Sequence, residues 1–323
     1  MEPMSHASAE HMTCMEVWGG NQACDNGVVM SGLDAWIYCQ PFEGSVGGGD
    51  VYYVSSCATG RITRLLLADV SGHGELVSAT AGSLRKLMQS YVNFIDQSAF
   101  VRSMNQQFSE LTGDGRFATA IVSTFFGPTS ELTLCIAGHP PPLLYRAGSK
   151  TWSLLGHGDD GSAGNIPLGI EDVTDWAQVS VRLRVGDLVL CYTDSLIESR
   201  DARGEMLGTE GLLHLAGTID VSDPQRVIPD LIAAIRANGT LGADDVTALL
   251  FRPNGMSPYL PLKDRVLAPF RVARRVVASL RSGADPAPWP ELSLTNLGGA
   301  ICRPLNWLGS KRSPASSGSD VKA

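Results

Sequence analysis

The sequence lacks the cysteine spacings, the long apolar runs and the positive charge that mark several common classes of protein. Its seven cysteines are scattered, with no Cys-x-x-Cys pair and no Cys/His ligand spacing, and we interpret them as reduced thiols of a cytoplasmic protein. No apolar stretch approaches the roughly 18 residues that a membrane span needs, so no transmembrane segment is predicted. The net charge of −8 disfavours general nucleic-acid binding.

Three sequence signals of targeting or chemistry are missing as well. Residues 1–15 contain acids and histidines but no apolar core, so they do not resemble a signal peptide. The glycine run Gly47–Gly49 is not followed by Gly-Lys-Ser/Thr, which argues against a phosphate-binding P-loop. A Gly-x-Ser-x-Gly nucleophile motif is also absent.

Charge divides the chain unevenly. Residues 256–323 carry ten Lys and Arg against four Asp and Glu, a net charge of +6, so the rest must carry −14 of the total of −8. We predict a flexible leader over residues 1–14, one domain over 15–255 and a basic tail over 256–323. The tail contains an amphipathic helix candidate, Asp264–Leu280, and a Ser/Gly/Lys-rich end that we expect to be disordered. We expect the helix to dock on its own domain or on a partner, through Leu267, Phe270 and Val277, with a membrane-surface role and disorder as the alternatives.

The elements predicted for the domain alternate between blocks of strands and pairs of helices. Short turns separate the strands, which favours antiparallel pairing. The pattern predicts an α+β fold with two antiparallel sheets covered by helices. The clearest candidates are the strands Val51–Ser56, Ile62–Val70, Ala118–Phe126, Glu131–Ala137 and Val246–Arg252 and the helices 75–91, 99–111 and Pro224–Asn238.

Four aspartates stand where predicted strands begin or end. Asp50 follows the glycine run, Asp69 and Asp194 follow apolar runs, and Asp244 precedes one. A carboxylate at the end of a buried strand is costly unless it is paired or bound to a metal. Several such ends converging would give an all-oxygen site, which suits Mg²⁺ or Mn²⁺.

Six short motifs in one order resemble the metal-dependent PPM protein phosphatases, and more closely their bacterial SpoIIE/RsbU-like branch of sporulation and sigma-factor-regulator serine phosphatases. The resemblance covers about residues 15–253. The motifs are Gly-Gly-Gly-Asp50, Ala-Asp69-Val-Ser-Gly-His-Gly, Ala-Gly-His139-Pro-Pro, Pro167-Leu-Gly, Gly-Asp187 with Tyr-Thr-Asp194-Ser-Leu-Ile-Glu, and Asp244-Asp-Val-Thr.

This resemblance implies a four-layer α-β-β-α sandwich and a site for two Mn²⁺ or Mg²⁺ ions. Asp69 would be the catalytic ligand that bridges both ions, and the carbonyl of Val70 would join one of them. Asp50 would hold the second ion, while Asp194 and Asp244 would hold the first. The resemblance also implies a phosphoserine or phosphothreonine protein as substrate, such as an anti-sigma-factor antagonist in partner switching.

The sequence departs from the family pattern at three positions. Tyr53 stands where a second acid is frequent, Ile136 where Asn is frequent, and Ser195 where Gly is usual. A turn that needs a positive φ at Ser195 would be strained. These departures favour one alternative, a catalytically impaired phosphatase-like binding or scaffold module. A metal-dependent hydrolase of small phosphorylated metabolites is another.

The sequence predicts the roles of the other polar residues near the motifs less specifically. We interpret His73 and His139 as structural hydrogen-bonding residues in preference to acid–base catalysts. Asp245 is equally compatible with supporting a metal ligand and with a surface acid. Arg61 and Arg64 could steer a phosphate, but their position on a strand favours side chains that face solvent.

Overall fold

The computed structural model describes residues 10–12, 14–42, 45–72, 75–111, 116–156, 166–171, 176–241, 244–256 and 262–280. The helices are α1 (Glu75–Ser90), α2 (Gln97–Leu111), α3 (Gly208–Ala216), α4 (Pro224–Asn238) and α5 (Leu262–Ser279). The strands are β1 (Glu10–His11), β2 (Val17–Gly20), β3 (Cys24–Met30), β4 (Leu33–Gln40), β5 (Asp50–Ser56), β6 (Ile62–Val70), β7 (Ala118–Phe126), β8 (Glu131–Ala137), β9 (Leu143–Arg146), β10 (Thr151–Leu154), β11 (Gln178–Arg182), β12 (Leu188–Tyr192), β13 (Arg200–Asp201), β14 (Gly239–Thr240) and β15 (Val246–Pro253).

Two large sheets form the centre of the domain. One has the order β1-β3-β4-β15-β12-β9-β10 and the other the order β11-β8-β7-β6-β5-β2. Their strand pairs are antiparallel, except that the short β1 runs parallel to β3. A third, two-stranded sheet joins β13 to β14.

Three apolar cores separate four layers. Leu66 of β6 packs under α1 and α2, whereas its neighbours Leu65 and Leu67 point between the two sheets. Both faces of this strand are therefore buried, which explains why its sequence is continuously apolar and does not alternate. On the far side, Leu190 of β12 packs with Leu231 of α4. The layers run helix, sheet, sheet, helix, and the predicted α-β-β-α fold is confirmed.

The prediction that Arg61 and Arg64 face solvent is wrong. Each is only 1% exposed. Arg64 lies in the central part of its sheet, under the connection between α1 and α2, where its Nη2 donates to the carbonyls of Phe94 at 2.8 Å and Asp96 at 3.3 Å. Its guanidinium also lies 4.6 Å from the centroid of the Phe100 ring. The side chain therefore holds the start of α2 against the sheet.

The tail helix α5 docks on the domain through its small residues and not through its large ones. Ala268 is buried in a cluster with Met15 and Ala58. Leu267, Phe270 and Val277, on which we expected docking to rest, are all exposed. Ala268 and the partly buried Val272 are the α5 residues that meet this cluster. Among the described helices, none is long and apolar enough to cross a membrane.

We predict that Arg64→Ala destabilises the domain by about 2–4 kcal/mol, because it removes a fully buried side chain, opens a cavity and leaves the carbonyls of Phe94 and Asp96 without their donor. Urea unfolding at neutral pH measures the change. Arg203→Ala, on the exposed β13–β14 side of the molecule, is the matched control and should change stability by less than about 0.5 kcal/mol. Equal stability of the two variants would contradict the structural role of Arg64.

Candidate metal centre

The ends of four strands place the predicted ligands at one edge of the sandwich. Asp50 opens β5 and lies opposite Asp69, near the end of β6, in the antiparallel register. Asp194 follows β12 by two residues, and Asp244 precedes β15 by two. Because β12 and β15 are antiparallel neighbours, the end of one and the start of the other meet. Each sheet therefore contributes two of the four aspartates.

A buried hydrogen bond joins the two pairs. The Thr193 hydroxyl donates to Asp50 Oδ2 at 2.9 Å and accepts from the backbone N–H of Thr247 at 3.0 Å. Asp50 and Thr193 belong to different sheets, so this bond fixes the start of β5 against the end of β12. Thr193 is a functional candidate that sequence reasoning missed, although its place directly before Asp194 was visible.

Asp245 holds the glycine loop in place. It is buried, and its carboxylate accepts hydrogen bonds from the N–H groups of Phe42 at 2.7 Å, Asp50 at 3.3 Å and Gly49. A Cβ at Gly48 would lie 2.3 Å from Asp245 Oδ2, so the loop can wrap this carboxylate only with glycine there. The surface-acid interpretation of Asp245 is wrong, because its carboxylate supports the backbone of the Asp50 loop.

The Val70 carbonyl faces the same loop. Its oxygen would lie 3.2 Å from a Cβ built on Gly49, and Asp69 Oδ1 would lie 3.6 Å from that same Cβ. The N–H of Val70 donates to the Gly49 carbonyl at 3.2 Å. A Cβ at position 49 would therefore crowd the Val70 carbonyl oxygen and contact Asp69, and glycine leaves that space open.

Negative charge accumulates at this edge. Burial, and then the charges of Asp194 and Asp244, raise the pKa of Asp69 to about 6. Burial is also the main cause that raises the pKa of Asp50 well above its ordinary value, with the charge of Asp69 adding to it. Burial and then Glu198 raise the pKa of Asp194. The cluster is electrostatically unfavourable by itself and suits a cation.

The fold brings the predicted ligands to one edge, but it does not show which of them bind a metal ion. Asp244 is exposed, and its Oδ1 accepts from the Asp245 N–H at 2.8 Å. Within the described ranges, no three Asp, Glu, His or Cys side chains stand close enough to hold one ion. The ligand roles of Asp50, Asp69, Val70, Asp194 and Asp244 therefore stay a prediction.

The three departures from the family pattern fit the fold without strain. Ser195 lies in a 3₁₀ turn, Asp194–Leu196, and is not among the residues with positive φ, so the strain anticipated there is absent. Its hydroxyl donates to the Asp245 carbonyl. The Tyr53 hydroxyl donates to the Ala81 carbonyl at 2.7 Å under α1, and Ile136 packs between the sheets.

His139 connects the two sheets beside the acidic cluster. It is buried, its Nδ1 lies 2.7 Å from the Thr119 hydroxyl, and its Nε2 lies 3.1 Å from the Tyr192 carbonyl. A carbonyl only accepts, so Nε2 carries the proton and Nδ1 accepts from Thr119. Burial lowers the pKa of His139 to about 4. The residue is a neutral structural bridge. His73 and Gly74 lie outside the described residues.

Comparisons with known sequences point to one family. The profile of the Stage II sporulation protein E (SpoIIE) family matches residues 59–254, which are 196 of the 323 residues. The phosphoserine phosphatase RsbU of Bacillus subtilis is 23% identical over 142 residues, 44% of this chain and 41% of RsbU. The chain spans less than half the length of the curated relatives that it matches.

Comparisons with solved structures agree on the fold. The RsbU and RsbW domains of Rv1364c from Mycobacterium tuberculosis match with a TM-score of 0.59 at 24% identity, over 76% of this chain and 68% of that one. The PP2C phosphatase domain of SpoIIE from Bacillus subtilis, with a fragment of its regulatory domain, matches with a TM-score of 0.57 at 20% identity, over 68% and 63%. The fold is that of a PP2C-type phosphatase domain.

We predict that His139 makes folding sensitive to acid. The unfolded chain binds a proton near pH 6.5, whereas the folded protein resists it until about pH 4, so the stability that His139 contributes is complete above pH 6.5 and is lost as the pH falls toward 4. His139→Gln keeps an amide donor and acceptor but cannot titrate. As the pH falls over this range, the unfolding free energy of His139→Gln should therefore decrease by about 3 kcal/mol less than that of the wild type.

Urea unfolding between pH 7 and pH 4.5 measures this difference. His214→Gln, at an exposed position on α3, is the control and should follow the wild-type curve. Parallel curves for His139→Gln and wild type would show that His139 does not carry the acid sensitivity.

Proposed function

The chain belongs to the SpoIIE family, and we propose that it is a metal-dependent phosphoprotein serine/threonine phosphatase that hydrolyses phosphomonoesters. The observation that supports the proposal is that Asp50 and Asp69 of one sheet lie at the same edge of the sandwich as Asp194 and Asp244 of the other. Phosphate monoesters hydrolyse extremely slowly without catalysis, so the enzyme must supply a large electrostatic contribution. A cluster of oxygen ligands for divalent cations is a standard source of that contribution.

The donor set fits hard divalent cations. It contains carboxylates and one carbonyl and no thiolate or imidazole, which suits Mg²⁺ or Mn²⁺. In this proposal Asp69 would be shared by two ions, the Val70 carbonyl would join one of them, Asp50 would hold the second, and Asp194 and Asp244 would hold the first. When bound, such ions supply a nucleophilic water at neutral pH and offset the charge of the phosphate oxygens.

The remaining residues of the site position these ligands. Thr193 orients the Asp50 carboxylate by donating to one of its oxygens. Asp245 fixes the backbone on both sides of Gly49. His139, neutral at physiological pH, ties β12 to the strand beside Asp69 without adding a charge. These contacts hold the carboxylates at one edge despite their mutual repulsion.

We propose a phosphoserine or phosphothreonine protein as the substrate. RsbU, which the chain resembles, is named a phosphoserine phosphatase, and the Mycobacterium tuberculosis neighbour joins RsbU and RsbW domains. These names support a role in bacterial partner switching, with a phosphorylated anti-sigma-factor antagonist as the substrate class. A cytoplasmic location belongs to the same proposal, and the free thiols among the described cysteines are compatible with it.

One alternative has an observation in its favour. A catalytically impaired binding module would tolerate Tyr53 in place of a second acid, and the described carboxylates do not stand at ligand spacing as a group of three. Turnover separates this alternative from a phosphatase. A panel of phosphoproteins set against small phosphorylated metabolites then separates a protein phosphatase from a metabolite hydrolase.

We predict that p-nitrophenyl phosphate turnover requires Mn²⁺ or Mg²⁺ and that Asp69→Asn lowers it by at least about a hundredfold, the scale of losing one preorganised electrostatic group. The same variant should be at least as stable as wild type in EDTA, because it removes one negative charge from beside Asp194, Asp244 and Glu198. Turnover assays and thermal unfolding measure the two effects.

Asp230→Asn, in an exposed ion pair with Arg226, is the matched control and should leave turnover unchanged. Full activity of the wild type in excess EDTA would rule out the metal assignment. Turnover of Asp69→Asn within about tenfold of wild type, or about 1.4 kcal/mol of barrier, would show that Asp69 is not the bridge.

We also propose that residues 15–255 form the catalytic domain and that 256–323 are a separate tail. The proposal predicts that a chain truncated after Asn254 keeps its metal-dependent turnover on p-nitrophenyl phosphate, since the acidic cluster lies outside the removed part. A truncated protein that is folded by circular dichroism but inactive would place the tail in the catalytic unit.

A further inference from the structure

The tail helix α5 attaches to the domain by one narrow side. Ala268 is 3% exposed and packs with Met15 and Ala58. On the same side, Arg271 Nη1 lies 3.1 Å from Cys14 Sγ, and Arg271 pairs with Asp264. The attached side of the helix is therefore made of Ala268, the partly buried Val272 and polar groups.

The opposite side carries an exposed apolar stripe. With 3.6 residues per turn, Val266, Phe270 and Val277 lie on the side of α5 away from Ala268. They are 60%, 68% and 62% exposed. Leu262 at the start of the helix and Leu280 just after its end extend the same stripe.

This stripe is a concentrated patch. Of the thirteen large apolar side chains that are exposed in the described residues, six lie between 262 and 280. Single exposed apolar residues need no explanation, but a contiguous patch marks a surface that meets an apolar phase or a partner. The helix thus presents to solvent the side that an amphipathic helix normally buries.

The charge of the segment limits what can cover the stripe. Residues 262–280 contain five basic residues and one acid, Asp264, and that acid is paired with Arg271 on the attached side. Lys263 and Arg274 are exposed and border the stripe near Phe270. Two copies of α5 packed stripe to stripe would place these cations against each other with no acid between them, which disfavours self-association.

We propose that α5 binds the surface of an anionic lipid membrane, with its stripe in the interface and its basic residues near the lipid headgroups. A helix with Phe, Leu and Val on one side and Lys and Arg beside them is the type that lies in the membrane interface. The remainder of the chain carries a net charge of −14 if the tail is set aside, so the domain is repelled from such a surface and the tail supplies the attraction.

Vesicle co-sedimentation of the full chain tests this proposal without any assay of turnover. We expect binding to mixed phosphatidylcholine and phosphatidylglycerol vesicles and little binding to pure phosphatidylcholine. Phe270→Glu should lower the bound fraction at least about tenfold, because it places a charge in the stripe. Arg274→Gln should lower the affinity about fivefold, and only for vesicles that contain phosphatidylglycerol.

Two controls match these changes elsewhere on the surface. Met206→Glu adds the same charge at another exposed apolar side chain, and Arg203→Gln removes the same charge from another exposed position. Both should bind vesicles like wild type. The proposal is wrong if wild type does not sediment with the anionic vesicles, or if Phe270→Glu binds as well as Met206→Glu. It is also wrong if light scattering shows a dimer that Phe270→Glu dissociates, since the stripe would then be covered by a second copy.

Discussion

The hydrogen bond from Thr193 to Asp50 is the contact on which the proposed site depends, because it crosses between the two sheets beside a group of mutually repelling carboxylates. Without a bound cation these carboxylates are costly to hold in place, because burial first and then the neighbouring acids raise the pKa values of Asp50 and Asp69. Asp245 and His139 also hold this edge together. Asp245 accepts hydrogen bonds from the glycine loop, and His139 joins β12 to Thr119 of β7. The fold stabilises an arrangement that is unfavourable for the side chains alone, which is usual where a site is organised for a ligand.

Much of the fold could be predicted because local patterns and tertiary packing agree in it. The strands β7 and β8 and the helix α4 have the bounds predicted for them, and Asp223 caps α4 just before Pro224. The ligand roles that the six motifs imply for Asp50, Asp69, Asp194 and Asp244 stay a prediction. The burial of Arg64 could not be read from the sequence, since a strand pattern does not show that the connection between α1 and α2 covers its side chain. The role of Asp245 was equally hidden, because it depends on a loop about 200 residues away.

In the tail, too, the sequence pattern predicts an element but not which of its residues are buried. Periodicity predicts a helix over 264–280, and a helix is present at Leu262–Ser279. Periodicity does not show which side of the helix meets the domain. The usual expectation, that the largest apolar side chains are buried, is wrong for α5, where Ala268 is buried and Phe270 is exposed. The exposed apolar side beside basic residues can be recognised only once the helix is seen docked on the domain. The role proposed for the tail is therefore independent of the chemistry proposed for the acidic cluster.

We propose that the acidic edge of the sandwich is a two-metal centre built around Asp69. Anomalous diffraction from crystals grown with Mn²⁺ is the strongest test, because the signal locates the ions without reference to activity. Two peaks are expected about 3.5–4 Å apart with the Asp69 carboxylate between them, and with Asp50 on one side and Asp194 and Asp244 on the other. Anomalous peaks that are absent from this edge, or that lie away from Asp69, would contradict it.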